Sequence, residues 1–394
     1  MGRARRYVDG AERRARLGVR HRLAGGAGAA DPEEVTGALV ALHGTDPATV
    51  FLSVGARLAE PARTVAETER ALYEDRSLVR MHGMRRTVFV FPAELTAVVH
   101  ASTGLTVAAR ERAALVTAMA KAGAPDEVWL AEVERATLAA LERRGQATAA
   151  ELSEDEPRLR EQFAYAAGKS YEGVHTVSSR LLRVLGTEGK VVRGRPLGSW
   201  TSGRFRWAPA PPHPELDEAA AQASLLGRWL VCCGPATEAD LKWWTGWKVT
   251  DVRRALAAAG AEEVALDEGT GFVAAGDSEP PAAPAEPWAA LLPALDPTAM
   301  AWQQRDWYLA PDLRPALFDR SGNVGPTVWW NGRVVGGWAQ RADGEIVWRI
   351  LGSEEVGREA EAAIAEQARR LRGWVGATRL TPRFRTPLER ELTA

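Results

Sequence analysis

The segment that decides the fold begins Gly145-Gln-Ala-Thr-Ala-Ala-Glu-Leu152 and ends at Pro209. Its first residues predict a short helix, and Thr176–Leu185 predicts a second one. Two runs containing arginine follow, Lys190-Val-Val-Arg193 and Arg204-Phe-Arg-Trp-Ala208, and the glycines and serines between them predict a hairpin. Two helices followed by a basic two-stranded wing are typical of a winged helix, a unit that commonly binds duplex nucleic acid.

The same pattern recurs on both sides of this segment, which strengthens the prediction. Before it, Asp31-Pro32-Glu-Glu34 has the residues of a helix start, with Asp at the N-cap and Pro at the first helical position. Leu78–Met81 and Arg86–Phe91 then flank a His82-Gly83 turn. The third copy is predicted at about 218–275, with a helix that starts at 235–241 and includes Trp243 and Trp244, a second helix at 249–259, and strands at 263–266 and 272–274.

The remaining sequence predicts an α/β segment. A Pro- and Ala-rich linker occupies 276–287, and Asn331-Gly332 between two apolar runs is a strong hairpin signal. Glu345–Leu351 predicts a third strand and Glu354–Trp374 an amphipathic helix. We therefore predict an α+β, mainly helical fold with three tandem winged-helix units and a C-terminal α/β segment. The predicted domains are 1–91, with a basic helix at about 9–24 that ends at Gly25-Gly-Ala-Gly28, then 92–209, 210–275 and 276–394.

Composition excludes several classes of protein. In 394 residues the hydrophobic fraction is 46% and the charged fraction 26%, values that are ordinary for a globular protein. No apolar run approaches the roughly 18 residues of a membrane span, and the Arg-rich N-terminus has no apolar signal-peptide region. The adjacent Cys232 and Cys233 lie in an apolar stretch and are predicted to be core residues. We expect a cytoplasmic, monomeric protein without a metal ion, a nucleotide-binding motif or another cofactor.

Arginine is concentrated in three parts of a chain whose net charge is only −1. Residues 1–25 hold eight Arg and two acids, residues 178–208 hold seven Lys or Arg and one Glu, and residues 369–390 hold seven Arg and one Glu. Such segregation is typical of a protein that presents a basic face to phosphate groups. The alternative is that these residues form ordinary solvated helix faces.

The sharpest candidate for chemistry is Leu42-His43-Gly44-Thr45-Asp46-Pro47. We expect His43 to close one helix and Asp46-Pro47 to open the next, so that Gly44 and Thr45 lie in the break between them. An imidazole can take a proton from water, and a Thr hydroxyl two positions away could orient that water. In the alternative interpretation, Gly44 only ends a helix and His43 is a partly exposed cap.

This segment resembles the catalytic region of the AlkZ-type DNA glycosylases, bacterial winged-helix proteins that unhook DNA crosslinks. Those proteins carry Gln-x-Gln, or Gln-x-Asp in a sister branch, just before an Asp-Pro helix start. The resemblance covers most of the chain. Its other motifs, in order, are Glu12–Leu23, Val79–Phe91, Gly234–Asp240 with Trp243-Trp244, Leu295-Asp-Pro, and Pro326-Thr-Val with Gly336-Gly-Trp338.

The resemblance implies a protein that binds duplex DNA on a C-shaped scaffold and hydrolyses the N-glycosidic bond of alkylated or crosslinked purines, for repair or for self-resistance to a genotoxin. Where the family has two polar Gln side chains that position water, this chain has His43 and Thr45, which would be the catalytic residues. The substitution could equally mark a branch with other lesions, or a non-catalytic regulator or lesion sensor. A third possibility is that the winged units are protein-interaction modules.

The side chains predicted to contact DNA lie on the basic N-terminal helix, the first hairpin, the second helix of the second unit and its wing. An alternative for the hairpin residues is a plain exposed turn, and the second helix could be buried instead of reading bases. The predicted residues are Arg13, Arg16, Arg20, Arg80, His82, Arg85, Arg86, Arg180, Arg183, Arg204 and Arg206.

Overall fold

The computed structural model of the chain describes residues 5–25, 28–123, 125–165, 172–281, 286–352 and 356–394. Three sequence predictions fall partly outside this range. Gly26 and Ala27 of the first helix break lie outside it, as do residues 282–285 of the linker and Glu354, where the last long helix was predicted to begin. Within the described residues the fold is a mixture of helices and antiparallel sheets.

The described residues of the first part of the chain form four α-helices and a three-stranded sheet. Asp9, Asp31 and Asp46 cap three of the helices, each accepting a hydrogen bond from a backbone N–H in the first turn. The sheet order is β1-β3-β2. The elements are α1 (Gly10–Arg20), α2 (Pro32–Ala38), β1 (Leu42–His43), α3 (Pro47–Gly55), α4 (Thr64–Tyr73), β2 (Leu78–His82) and β3 (Val88–Pro92).

One prediction for this part is wrong. His43 does not close a helix, because α2 already ends at Ala38 and Val40 adopts a left-handed φ of 65°. The chain then extends, and Leu42 and His43 pair with Val90 and Phe89 as a short strand. The apolar residues here have helical spacing, but sheet pairing with the hairpin decides the local structure.

The second part contains the predicted helix pair and wing. Thr148 and Glu151 form a reciprocal capping box at the start of the first helix. A further antiparallel pair of short strands, which the sequence did not predict, precedes the second helix. The elements are α5 (Thr96–Val99), α6 (Leu105–Lys121), α7 (Glu127–Arg144), α8 (Ala149–Asp155), β4 (Gln162–Tyr165), β5 (Gly173–Thr176), α9 (Val177–Thr187), β6 (Val191–Pro196) and β7 (Phe205–Pro209).

The third part again has helices followed by a hairpin, and its sheet order is β8-β10-β9. Cys232 and Cys233 are buried, as predicted from their apolar surroundings. The elements are α10 (Glu218–Cys233), β8 (Ala236–Thr237), α11 (Glu238–Thr245), α12 (Val249–Ala258), β9 (Glu262–Leu266) and β10 (Gly269–Val273).

The last part is a four-stranded antiparallel sheet with helices against it. Asn331 and Gly332 form the predicted turn with left-handed φ values of 46° and 79°. The sheet order is β11-β12-β13-β14. The elements are β11 (Ala289–Leu292), α13 (Pro297–Met300), α14 (Arg314–Leu317), β12 (Thr327–Trp330), β13 (Arg333–Gln340), β14 (Ile346–Ile350), α15 (Gly357–Val375) and α16 (Pro387–Leu392).

The hydrophobic cores do not follow the order of the chain. Residues between Leu115 and Trp207 have a core of their own. A second core joins residues 29–90 to Trp200 and to residues 289–380, and a third joins α1 and the β2–β3 hairpin to α10–α12 and the C-terminal sheet. The first, third and last parts of the chain are therefore packed as one body, and most of the second part lies beside it with a separate core.

A buried polar network fixes α3 to the C-terminal part of the chain. The guanidinium of Arg57 forms an ion pair with Asp296, with 2.8 Å between Nη2 and Oδ1, and both side chains are fully buried. Ser53 donates a hydrogen bond to the same carboxylate at 2.7 Å, and Thr49 donates one to the carbonyl of Ala294 at 2.9 Å. Because α3 begins at Pro47, two residues after Thr45, this network helps to set the position of the candidate catalytic loop.

Candidate active site

His43 and Thr45 line one cleft of about 590 Å³ between the second part of the chain and the body formed by the first, third and last parts. The lining includes four arginines and no Asp or Glu among the described residues. Its remaining side chains are polar or aromatic for the most part. The full lining is His43, Thr45, His82, Arg86, Thr87, Val88, Ala149, Ser178, Ser179, Leu182, Arg183, Arg193, Phe205, Trp207, Asn323, Arg383 and Phe384.

Sheet pairing and a close approach at Gly44 position the candidate catalytic loop, residues 43–45. The Gly44 N–H donates to the carbonyl of Val88 at 2.8 Å, which extends the pairing of β1 with β3. A Cβ at Gly44 would lie only 3.3 Å from the carbonyl carbon of Phe89 and from Val88 atoms. A larger residue would therefore push the loop away from β3, and with it His43 and Thr45 on either side.

The imidazole of His43 is mostly desolvated. Its Nδ1 is buried and has no hydrogen-bond partner among the described residues. The ring packs edge-on against Phe89 with 5.4 Å between the centroids. Burial, together with the nearby charge of Arg85, lowers the pKa of His43 to about 4. At neutral pH the ring is therefore uncharged, and it can orient a water molecule more readily than it can hold a proton.

Asp46 follows Thr45 but is committed to the structure. One carboxylate oxygen accepts the N–H of Ala48 at 3.0 Å and caps α3, and the other accepts the N–H of Arg383 at 2.9 Å. The side chain is 6% exposed. Asp46 thereby brings the C-terminal segment around Arg383 to the cleft, and its carboxylate is occupied as a hydrogen-bond acceptor.

The turn of the β2–β3 hairpin is strained next to this site. Arg85 and Arg86 both have left-handed φ values, 53° and 63°. The guanidinium of Arg85 lies 4.0 Å from the ring centroid of Trp243, and burial and Arg305 lower its pKa to about 10. Arg86 instead lines the cleft and forms an ion pair with Glu111. The turn thus directs one arginine inward against a tryptophan and the other into the cleft.

The structure separates the predicted DNA-contacting residues into three groups. His82, Arg86 and Arg183 line the cleft, although His82 is only 7% exposed and its pKa is lowered to about 3 by burial, Arg193 and Arg183. Arg204 is exposed on the wing. Five others are held by protein groups or buried. Arg20 is paired with Asp277 at 2.6 Å, Arg180 with His175 at 3.0 Å and Arg206 with Glu151 at 3.1 Å. Arg85 packs over Trp243, and Arg80 is only 8% exposed.

The prediction that Arg13 and Arg16 reach DNA is contradicted by their burial. They are 3% and 1% exposed. Arg13 is paired with Glu268 at 2.8 Å, and Arg16 with Glu12 at 2.9 Å and Asp277 at 3.0 Å. The basic face of α1 is turned toward the third part of the chain, whose acidic side chains neutralise it. Spacing alone gives the face of a helix but not what covers that face.

Two cleft arginines, Arg193 and Arg383, were not among the predicted residues. Arg193 ends the first predicted wing strand, and Arg383 lies within the Arg-rich region 369–390. The concentration of arginine in these regions was therefore the sequence signal that pointed toward Arg193 and Arg383. It could not select the two residues, because their positions depend on how the wing and the C-terminal segment pack beside β1.

The described residues contain no group of three or more His, Cys, Asp or Glu side chains that could hold a metal ion. None of their helices is long and apolar enough to cross a bilayer.

Comparisons with known proteins identify the fold and the family of the chain. A search among curated protein sequences gives no significant match. Among solved structures, the Streptomyces sahachiroi DNA glycosylase AlkZ is similar, with a TM-score of 0.72 and 20% identity over 93% of this chain and 97% of that one. At this identity the likeness shows a common fold. The model of the DNA glycosylase AlkZ-like family matches residues 36–374, which include His43, Thr45 and most of the cleft. The chain therefore belongs to the AlkZ-like DNA glycosylase family.

Proposed function

We propose that this protein hydrolyses the N-glycosidic bond of alkylated or crosslinked purines in duplex DNA. The observation that carries the proposal is that His43 and Thr45 line one arginine-rich cleft in a chain of this family. We further propose that the helix pairs and hairpins of the first three parts act as tandem winged-helix units around the duplex. The cleft lies where the first and second of these units meet.

In the proposed reaction, water attacks the anomeric carbon of the damaged nucleotide while the bond from that carbon to the base nitrogen breaks. The electron pair of the broken bond goes to the base, so a cationic N7-alkyl purine leaves as a neutral molecule and needs no proton. The water loses one proton to solvent. His43, uncharged and with a pKa of about 4, acts mainly as a hydrogen-bonding group for this water, and Thr45 is the second anchor.

A specific observation favours one competing function. No carboxylate lines the cleft among the described residues, and the neighbouring Asp46 already accepts two backbone hydrogen bonds. A cleft with arginines and without an acid suits a protein that binds a damaged duplex and does not cleave it. A lesion sensor or regulator is therefore the second candidate.

The two functions differ in one product. Purified protein is incubated with duplex DNA that carries N7-alkylguanine, and strand breaks are quantified after alkali treatment, because only base release leaves alkali-labile abasic sites. We expect breaks with the natural protein, about a hundredfold fewer with His43→Ala because the attacking water is no longer positioned, and an intermediate number with Thr45→Val.

The matched control is His213→Ala, which removes a histidine outside the cleft, one that stacks on His100. It should leave the number of breaks unchanged. Duplex affinity should stay within a few-fold in all three variants. Binding without breaks, on both this substrate and a crosslinked duplex, would favour the lesion sensor. Full activity of His43→Ala would show that the reaction takes place elsewhere.

A further inference from the structure

Arg193 is a cleft arginine without an acidic partner. It lies on β6, half-buried, with its guanidinium carbon 4.3 Å from the ring centroid of Phe205 and 6.0 Å from that of Trp207. No hydrogen bond or ion pair holds it among the described residues. Two positions further along the same strand, Arg195 is exposed and paired with Glu69 and Glu74, each at 2.8 Å. One strand therefore presents a neutralised arginine outside the cleft and an uncompensated one inside it.

Other positive charges gather around Arg193 instead of acids. Arg80 is only 8% exposed, and its Nε and Nη2 have no hydrogen-bond partner among the described residues. Arg383 lines the cleft from the C-terminal segment. Burial and the charges of Arg80, Arg383 and Arg183 lower the pKa of Arg193 to about 10, so it still carries its charge at neutral pH.

This arrangement is unfavourable for the protein alone. The positive charges of Arg80, Arg193 and Arg383 repel one another. The buried guanidinium of Arg80 has also lost hydration, and its Nε and Nη2 gain no hydrogen bond in exchange. The chain has 51 acidic residues, so a neutralising partner is not scarce. Such clusters are typical of functional sites, where the missing negative charge is supplied by a ligand.

We propose that Arg193, flanked by Arg80 and Arg383, binds a phosphodiester group of the DNA strand whose damaged nucleotide lies at His43 and Thr45. This inference rests on the proposed function, since it takes the occupant of the cleft to be DNA. A guanidinium offers planar, paired N–H donors that match two phosphate oxygens. Phe205 and Trp207 lie beside the guanidinium and hold it in place by cation–π attraction, which leaves its N–H groups for the ligand.

A bound phosphate at this position would act as a positioning contact. It would fix the sugar next to it relative to His43, because Arg193 and His43 line the same cleft from opposite bodies of the protein. Arg193 would therefore affect the affinity for DNA and the placement of the anomeric carbon, without taking part in bond breaking.

Duplex binding tests this proposal without base release. The probe is a duplex with one tetrahydrofuran abasic analogue, and its affinity is measured at several salt concentrations. Arg193→Met should weaken binding about tenfold and should reduce the slope of log K against log[salt] by about 1, the expectation for one lost phosphate contact. The matched control is Arg195→Met, on the same strand, which should keep the slope of the natural protein.

A second set of duplexes locates the phosphate. Each carries one uncharged methylphosphonate in place of a phosphodiester near the analogue. We expect one or two positions where the natural protein loses about tenfold in affinity and Arg193→Met loses nothing further. Equal losses for both proteins at every position, or an unchanged salt slope, would overturn the proposal. If Arg193→Met does not fold, Arg383→Gln provides the same comparison, because Arg383 is exposed.

Thermal unfolding separates a binding role from a packing role. Removal of an uncompensated charge should leave the melting temperature of Arg193→Met unchanged or raised, whereas a structural cation–π role predicts a lower one together with an unchanged salt slope.

The outcomes also separate this inference from the proposed function. Base release without phosphate coupling would reject the inference alone, and phosphate coupling without base release would reject the glycosylase alone.

Discussion

Removal of the Arg85 charge should raise the pKa of His43 and move the acid limb of the reaction to higher pH. The natural protein holds this pKa at about 4, first by burial and second by Arg85. The difference from the ordinary value of 6.5 corresponds to about 3 kcal/mol against the imidazolium. Because burial remains in Arg85→Met, the pKa in the variant should lie between about 4 and 6.5.

The sign of the pH effect follows from which form of His43 orients water. The proposed reaction requires a neutral imidazole, so the rate of base release should stay constant from pH 8 downward and fall only as the pH approaches about 4. In Arg85→Met the fall should begin at higher pH. The methionine keeps an unbranched side chain against Trp243, where the guanidinium of Arg85 now packs.

The assay is a single-turnover measurement of alkali-labile breaks at saturating protein, corrected at each pH for spontaneous base loss without protein. Histidine NMR gives the pKa directly, since the chain has six histidines and His43→Ala assigns the signal. An inflection near pH 6.5 in the natural protein would refute the argument that burial keeps His43 neutral. So would an Arg85→Met profile identical to that of the natural protein.

Three further predictions concern the support of the site. Asp46→Ala removes the α3 cap and the Arg383 contact and should lower the free energy of unfolding by about 2–4 kcal/mol, measured by urea unfolding. Asp46→Asn keeps the cap and should lower it by about half as much. Equal losses of stability in the two variants would contradict this division. Arg57→Met leaves Asp296 charged and buried and should lower the free energy of unfolding by about 3–5 kcal/mol. Asp296→Asn added to the same chain should restore a large part of this loss. No recovery of the melting temperature in the double variant would argue against the ion pair. Burial holds the pKa of His21 and of His82 near 3. Between pH 6.5 and 5 these histidines therefore take up protons in the unfolded chain but not in the folded one, and the free energy of unfolding should fall by about 2 kcal/mol per histidine. A melting temperature that stays constant over this pH range would contradict the prediction.

Local sequence rules were sufficient where an element is determined by its own residues. Thr148 and Glu151 cap α8, and Asn331-Gly332 closes the β12–β13 hairpin, as their side chains and φ preferences require. The two wing strands β6 and β7 likewise match the two arginine-containing runs around the Gly- and Ser-rich turn. Each of these signals lies within a few residues of the structure that it predicts.

The rest depended on contacts between distant segments. Leu42 and His43 follow a helical pattern of apolar residues and yet form a strand, because Phe89 and Val90 offer a free edge. Arg13 looks like a phosphate ligand until Glu268, 255 positions away, is placed beside it. His43, Thr45, His82, Arg86 and Arg183 were predicted separately, but the sequence could not show that they share one cleft or that Arg193 of β6 and Arg383 of the C-terminal segment complete it.

The hydrogen bond between Asp46 and Arg383 also has a consequence for synthesis of the chain. It joins residues 337 positions apart, and at about 5–20 residues per second the ribosome needs on the order of half a minute or more to make the intervening segment. Residues 115–207 have a core of their own and can fold during that time. The core of residues 29–90, which also draws on residues 289–380, remains incomplete. A nascent chain would therefore carry a folded second part long before it has a working cleft, and translation that stops short of Arg383 would leave the cleft without its C-terminal wall.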